Sequence, residues 1–154
     1  MVIYSCGLRV GEVVRLKIKD LDSEENVLHI CAAKGKKDRY VPISDKVIEL
    51  LRDYWRVYRP KDWLFSAQGK PDKHLSARTV QKVFTQAVKS AGILKDVSVH
   101  SLRHSYATHL LEEGTDLHLI QEIVGHASSK TTELYTHVGR GQIRKVRSPI
   151  DEIL

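Results

Sequence analysis

Two short segments of alternating β-branched or apolar residues constrain the fold most strongly, because the rest of the chain repeats at helical spacing. Val27 to Ile30 and Arg39 to Ile43 show this alternation, and the loop AAKGKKD lies between them. Such a pair predicts an antiparallel β-hairpin with a strongly basic turn. A further short strand is predicted in the sequence DWLF, near Trp63, whereas Gln68 to His74 is rich in turn residues.

Apolar residues at helical spacing cover most of the remaining chain. Ser44 and Ser76 are suited to cap the helices that follow them, and Pro60 and Gly92 lie where those helices are expected to end. Further helical patterns are found at 1–4, 10–16, 101–113, 116–124, 128–134 and 142–146. We therefore predict a mostly helical α+β fold with a small antiparallel sheet, in one domain.

The chain of 154 residues has a formal net charge of +6 and a pI near 9.3. This excess favours a polyanionic partner, but charge alone does not distinguish nucleic acid from a solvated basic surface. Cys6 and Cys31 lack the spacing of a disulfide framework or a Cys-x-x-Cys motif, and we predict buried thiols. No apolar run is long enough for a membrane span and no signal peptide is visible, so a cytoplasmic protein is expected.

The segment HSLRHSYATHLLEEG carries potential chemistry on a predicted helix. His100 and Arg103 are three residues apart and therefore share one helix face. Taken alone, the segment also fits a surface helix whose polar side chains contact only water. His100 and His104 have a spacing that could bind zinc, but no HExxH motif and no nearby cysteine supports a metal site, and none is expected.

Four other residues stand in comparable positions. Arg9 follows a glycine break, Lys34 lies in the predicted hairpin turn, and His126 follows Gly125 nine residues before Tyr135. Each has an ordinary structural interpretation, such as core packing for a tyrosine or solubility for a turn lysine. Their order and spacing along the chain are harder to explain by such separate structural roles.

In combination, the segments GLRVGE, AAKGKKDRYVP, HSLRHSYATHLLEEG, IVGH and YTHV resemble the tyrosine recombinases of the phage-integrase and Xer type. The resemblance covers almost the whole chain and implies the catalytic domain of that family. It also implies site-specific DNA recombination by strand cleavage and rejoining. The implied catalytic residues are Arg9, Lys34, His100, Arg103, His126 and Tyr135.

By this resemblance, Arg9 and Arg103 bind the non-bridging oxygens of the scissile phosphate, and His126 adds a hydrogen bond to them. Guanidinium groups are suited to such bidentate contacts. Glu12, in GLRVGE, is expected to position an arginine rather than to react. Without a metal, phosphodiester exchange needs positive charge of this kind near the phosphate.

The resemblance further implies that Tyr135 attacks the phosphorus, His100 helps accept its proton and Lys34 protonates the departing 5′ oxygen. The product would be a 3′-phosphotyrosyl link and a free 5′-hydroxyl. Because the covalent intermediate keeps the bond energy, no cofactor is expected, and the sequence has no GxxxxGK[ST] phosphate loop. Lys36 and Lys37 share the turn with Lys34, which is preferred only by the family pattern.

The expected partners are double-stranded DNA and other recombinase protomers, assembled in the family as a tetramer. The chain begins eight residues before Arg9, so we expect it to be the C-terminal part of a recombinase without the N-terminal core-binding domain and the first catalytic helices. The tail from Ile143 to Leu154 is expected to contact a partner in the complex or to fold back on its own domain. Two alternatives remain: a non-catalytic DNA-binding fragment, or a nicking and resealing protein like the type IB topoisomerases.

Overall fold

A computed structural model describes residues 1–31, 38–125, 143 and 145–153. The helices are α1 (Val2–Cys6), α2 (Val10–Val14), α3 (Asp45–Tyr58), α4 (Ala77–Ser90), α5 (Val99–Glu112), α6 (Leu117–Val124) and α7 (Ile150–Ile153). The strands are β1 (Leu21–Asp22), β2 (Val27–Ile30), β3 (Arg39–Pro42), β4 (Ser66–Ala67) and β5 (Lys70–His74). The predicted α+β fold, mostly helical with a small antiparallel sheet, is confirmed.

The two strands of the predicted hairpin, β2 and β3, pair in a three-stranded antiparallel sheet of order β1-β2-β3, in which β2 is central. Leu28 pairs with both Leu21 and Val41, and Ile30 pairs with Arg39. Leu28, Ile30 and Val41 are buried in the hydrophobic core. Strand side chains alternate between faces, so these three residues share the face that packs in the main core cluster, and His29 and Tyr40 lie on the other face.

Helix boundaries follow local capping chemistry. Ser44 and Ser76 accept hydrogen bonds from the backbone N–H groups of Val47 and Thr79, as the sequence predicts. Asp116 caps α6 by accepting from the N–H groups of the next turn. At the other end of α6, Gly125 takes the left-handed conformation, with φ 66°, which glycine adopts at little cost.

The prediction of a strand at Trp63 is wrong. Trp63 makes only an isolated antiparallel bridge to Lys17. The regular pairing lies further on, where β4 and β5 form a two-stranded sheet, so the prediction of a turn-rich segment is wrong for Lys70 to His74. β5 is almost wholly exposed and lacks the apolar alternation that reveals a half-buried strand.

The prediction of buried thiols holds for Cys6 and is wrong for Cys31. Cys6 lies in the core, whereas Cys31 follows the last residue of β2 and is exposed. The predicted helix at 128–134 lies outside the described residues, as does most of the one at 142–146. No described helix has the length and apolar character needed to cross a membrane.

The tail folds back on its own domain, one of the two arrangements expected. Ile143 and Ile150 are buried, and Ile150 belongs to the main core cluster. The buried Ser148 hydroxyl donates to the Ser5 carbonyl at 2.7 Å, which ties the tail to α1. Ile153, by contrast, remains 67% exposed.

Candidate active site

The site begins at the tight connection between α1 and α2. Gly7 ends α1 with φ 61°, and a Cβ at this position would lie 2.4 Å from Cδ1 of the buried Tyr106 ring. Both the backbone angle and the ring contact therefore require glycine here. This turn places Arg9 at the N-cap of α2.

Arg9 and Glu12 form a local frame around that N-cap. The Arg9 backbone N–H donates to Glu12 Oε2 at 2.8 Å, and Arg9 Nη1 donates to Glu12 Oε1 at 3.1 Å. Arg9 Nη2 donates to the carbonyl of Gly125 at 3.0 Å. The Arg9 side chain is still 37% exposed, so it can contact both the protein and a bound ligand.

Arg103 projects from α5 into the protein and is only 3% exposed. Its Nη1 donates to the Gly7 carbonyl at 2.6 Å, and its Nη2 donates to the carbonyl of Val124. Arg103 therefore connects α5 with the α1–α2 turn and with the end of α6. Hydrogen bonds from a charged donor to buried carbonyls are among the stronger ones in proteins.

Arg39, at the start of β3, completes the arrangement. Its Nη1 and Nη2 donate to the two Glu12 oxygens at 2.8 and 3.0 Å, and its Nε donates to the Ile123 carbonyl at 2.7 Å. Arg39, Arg103 and Arg9 thus bind the carbonyls of three consecutive residues, 123, 124 and 125. We call these three side chains the arginine cap.

The arginine cap meets a helix C-terminus, where unpaired carbonyls carry partial negative charge and favour cations. Three guanidinium groups against the single Glu12 carboxylate leave an excess of two positive charges at this place. Glu12 balances only part of the charge. The arrangement is therefore suited to a further anion.

The pKa values reflect this packing. Burial alone would raise the pKa of Glu12, but hydrogen bonds from Arg39 and Arg9 outweigh it and lower the pKa to about 2. Burial and the nearby Arg9 charge lower the pKa of Arg103 to about 10. Both groups remain charged at neutral pH, and the Arg103 cation is one that a bound anion would stabilise.

Three of the six catalytic residues predicted from sequence lie in the described part of the chain, namely Arg9, His100 and Arg103. The guanidinium groups of Arg9 and Arg103 reach neighbouring carbonyls. His100 is exposed in the first turn of α5, three residues before Arg103. Lys34, His126 and Tyr135 lie outside the described residues, although Gly125, which Arg9 binds, immediately precedes His126.

Glu12 has the positioning role that the sequence suggested, since it accepts hydrogen bonds from two arginines. The part played by Arg39 was missed, because it resembled another basic residue beside the hairpin turn. A signal was present: Arg39 lies two residues before the buried Val41 and so shares its face of β3. A charged residue on the apolar face of a strand points to a buried ion pair.

The sequence of this chain matches a known protein family. The family model described as "Phage integrase family" matches residues 1–141. A putative integrase/recombinase of Sinorhizobium fredii is 41% identical over 150 residues, covering 96% of this chain and 48% of that protein. Tyrosine recombinase XerD of Staphylococcus saprophyticus is 40% identical over 153 residues, covering 94% of this chain and 50% of that protein.

Solved structures agree with the sequence relatives. The crystal structure of XerA recombinase has a TM-score of 0.76 at 35% identity, covering 93% of this chain and 52% of that chain. XerH recombinase bound to its difH substrate in a pre-cleavage complex has a TM-score of 0.71 at 35% identity, covering 88% of this chain and 40% of that one. The fold matches that of tyrosine-recombinase catalytic domains, and the chain belongs to the phage integrase family.

The chain spans about half the length of the curated relatives that it matches.

Proposed function

We propose that this chain cleaves and rejoins DNA strands in site-specific recombination, through a 3′-phosphotyrosyl intermediate. The arginine cap is the observation that carries the proposal, because it holds a buried and a half-exposed guanidinium at neighbouring carbonyls. A guanidinium has five N–H donors, and the contacts described here use two side-chain donors each from Arg9 and Arg103. The remaining donors are suited to the oxygens of a scissile phosphate.

Preorganisation explains why such a frame would accelerate the reaction. Glu12 and the end of α6 hold Arg9 before any ligand binds, so little reorganisation is needed as negative charge develops on the phosphate. In the proposed step, Tyr135 loses its proton and its oxygen bonds to phosphorus, while the bond from phosphorus to the 5′ oxygen breaks. His100 helps accept the tyrosine proton, Lys34 donates a proton to the leaving oxygen, and His126 stabilises the phosphate.

Double-stranded DNA is the proposed substrate, and further recombinase protomers are the proposed partners. The XerH relative was solved with its difH substrate before and after cleavage, and a lambda integrase was solved as a dimer on a core site. Assembly as a tetramer and a place in the cytoplasm are parts of the same proposal. The shared core of the described residues supports one catalytic domain over residues 1–154.

Covalent trapping on nicked DNA tests the proposal directly. The substrate would be a pool of duplexes randomised around a nick, since cleavage beside the nick releases a short strand and leaves the protein attached. We expect a denaturant-resistant protein–DNA complex that Tyr135→Phe abolishes. Arg103→Lys should reduce its formation at least ~100-fold, because one preorganised donor contributes on that order.

The same assay separates the alternatives. A complex that joins its strand to a second duplex indicates recombination, whereas relaxation of supercoiled plasmid without joining indicates a topoisomerase-like protein. DNA binding without any covalent product would overturn the proposal in favour of a binding module. Tyr58→Phe, on the exposed end of α3, provides a matched tyrosine control and should leave trapping unchanged.

A further inference from the structure

The face of the three-stranded sheet turned away from the core carries a second group of chemically active side chains. His29 and Cys31 are two residues apart and therefore lie on the same face of β2. Continuing the β1–β2 register by one residue places Asp20 beside His29, and continuing the β2–β3 register places Asp38 beside Cys31. Strand pairing thus brings together side chains from three separate segments.

Asp20, His29 and Cys31 each offer a ligand atom, and these atoms lie within 4.8 Å of one another. His29 Nδ1 and Cys31 Sγ are 3.7 Å apart. A tetrahedral zinc ion with ordinary bonds separates its ligand atoms by about 3.3 to 3.8 Å. The histidine and the thiol already have this spacing, and Asp20 would need to move by about 1.5 Å at most.

Two further contacts orient the group. Asp20 is buried, and its Oδ2 accepts the backbone N–H of Lys17 at 2.8 Å, which holds the carboxylate in place. Asp38 Oδ2 lies 3.2 Å from His29 Nε2. A carboxylate on one ring nitrogen turns the other toward a metal, an arrangement common around protein-bound zinc.

The charges around the thiol also favour a cation. The carboxylates of Asp20 and Asp38 and the ammonium groups of Lys17 and Lys19 all lie close enough to Cys31 to interact with it electrostatically. Lys17 is itself paired with Asp62 at 2.9 Å. A divalent metal would relieve the repulsion between the two carboxylates and a thiolate.

We propose that Asp20, His29 and Cys31 bind one divalent transition-metal ion of the zinc class, with Asp38 orienting the histidine. Three protein ligands of mixed oxygen, nitrogen and sulfur type leave a fourth position for water. The site is separate from the arginine cap, on the opposite face of the same sheet. Cys31 directly follows the last residue of β2, so a bound metal would hold the end of this strand against Asp20.

Cobalt titration tests the proposal without any DNA or activity measurement. Chelator-treated protein would be titrated with Co²⁺, and a thiolate-to-Co²⁺ charge-transfer band is expected to saturate at one equivalent. Cys31→Ser should abolish the band and Asp20→Asn should weaken binding. Asp38→Asn should lower the affinity about 10-fold, as expected for a group that orients a ligand. Zinc added in excess should displace cobalt.

Two control variants address other possible ligands. Cys6→Ser removes the remaining thiol, and His104→Ala breaks the His100–His104 pair on α5; both should keep the band. A band that survives Cys31→Ser, or that is lost in His104→Ala, overturns the proposal, as does the absence of any band in the unaltered chain. Circular dichroism of each variant in chelator checks that it is folded.

Discussion

The two faces of the three-stranded sheet use polar residues in opposite ways. On the inner face, Arg39 is only 11% exposed and bonds to Glu12 and to the end of α6, 27 and 84 residues away. On the outer face, His29 and Asp38 are 33% and 54% exposed and pair within one hairpin. One register therefore produces a buried ion pair that organises the core and an open cluster suited to a ligand.

The inner contacts should be costly to break, because a buried charge left without its partner loses its main compensation. The outer contacts lie near water and should matter little until a metal binds. The difference is measurable as the free energy of unfolding, and the largest effect should follow from removing Arg39.

Arg39→Met keeps an unbranched side chain close in length to the aliphatic part of arginine but removes the guanidinium and its charge. We expect the free energy of unfolding to fall by about 3 kcal/mol, since Glu12 loses two hydrogen bonds and the Ile123 carbonyl loses one. Urea denaturation measures this change. Arg56→Met removes an ion pair to Asp53 whose side chains are 69% and 67% exposed, and it should cost less than about 1 kcal/mol. Equal losses in both variants would show that the buried ion pair of Arg39 contributes no more than an exposed one.

The pH dependence of the free energy of unfolding should report on the ion pair between Glu12 and Arg39 without any substitution at Arg39. The pKa of Glu12 is about 2 in the folded protein against an ordinary value of 4.5, so the unfolded chain binds the proton more readily. Its contribution is complete above pH 4.5 and is lost as the pH falls toward 2, amounting to about 3 kcal/mol at most. Glu12→Gln should remove this part of the pH dependence, measured by urea denaturation across that range.

Glu49→Gln, on the exposed side of α3, serves as the matched control. It should leave the loss of stability between pH 4.5 and 2 in place. If Glu12→Gln unfolds with the same pH dependence as the unaltered chain, the low pKa of Glu12 is wrong.

The sequence predicted elements whose residues follow a local rule. The positions of Ser44 and Ser76 correctly predicted where two helices begin, and the alternation of Val27 to Ile30 correctly predicted a strand. The polar residues of β5 have no such alternation, so its pairing with β4 follows from tertiary context alone. Local pattern therefore predicted the main framework but missed the smaller sheet.

The site shows the same limit. Arg9 and Arg103 could be chosen because they lie in recognisable motifs, whereas Arg39 is linked to them only through Glu12 and the end of α6. Likewise, Cys31 has no Cys-x-x-Cys partner, and although His29 lies two residues before it, Asp20 joins them only through strand register. Contacts between distant segments depend on the fold, so no single sequence motif predicts them.

A smaller effect is expected at Tyr106, on α5. Its ring is fully buried against Gly7, and its hydroxyl has no hydrogen-bond partner among the described residues. Tyr106→Phe should therefore leave the free energy of unfolding unchanged or raise it by up to about 1 kcal/mol. Tyr4→Phe breaks a 2.7 Å contact with His109 and should lower it by about 1 kcal/mol. A larger loss in Tyr106→Phe than in Tyr4→Phe would show that the hydroxyl is paired.

The smallest effect should come from Cys31→Ser in chelator. The Cys31 thiol is exposed, so the free energy of unfolding should change by less than about 0.5 kcal/mol. Cys6→Ser supplies the contrast, because that thiol is fully buried, burial raises its pKa to about 12, and the variant places a hydroxyl in the core. It should lose about 1 to 3 kcal/mol.

The effect of zinc on the Tm should distinguish the two cysteine variants in the opposite order, with the response lost in Cys31→Ser and kept in Cys6→Ser. Because a ligand that binds only the folded state stabilises it, zinc should raise the Tm of the unaltered chain and of Cys6→Ser but not that of Cys31→Ser. Thermal unfolding with zinc and with chelator measures both quantities on the same samples. A loss of stability in Cys31→Ser without metal as large as that in Cys6→Ser would mean that the outer face has a structural role of its own, and the contrast between the two faces would fail.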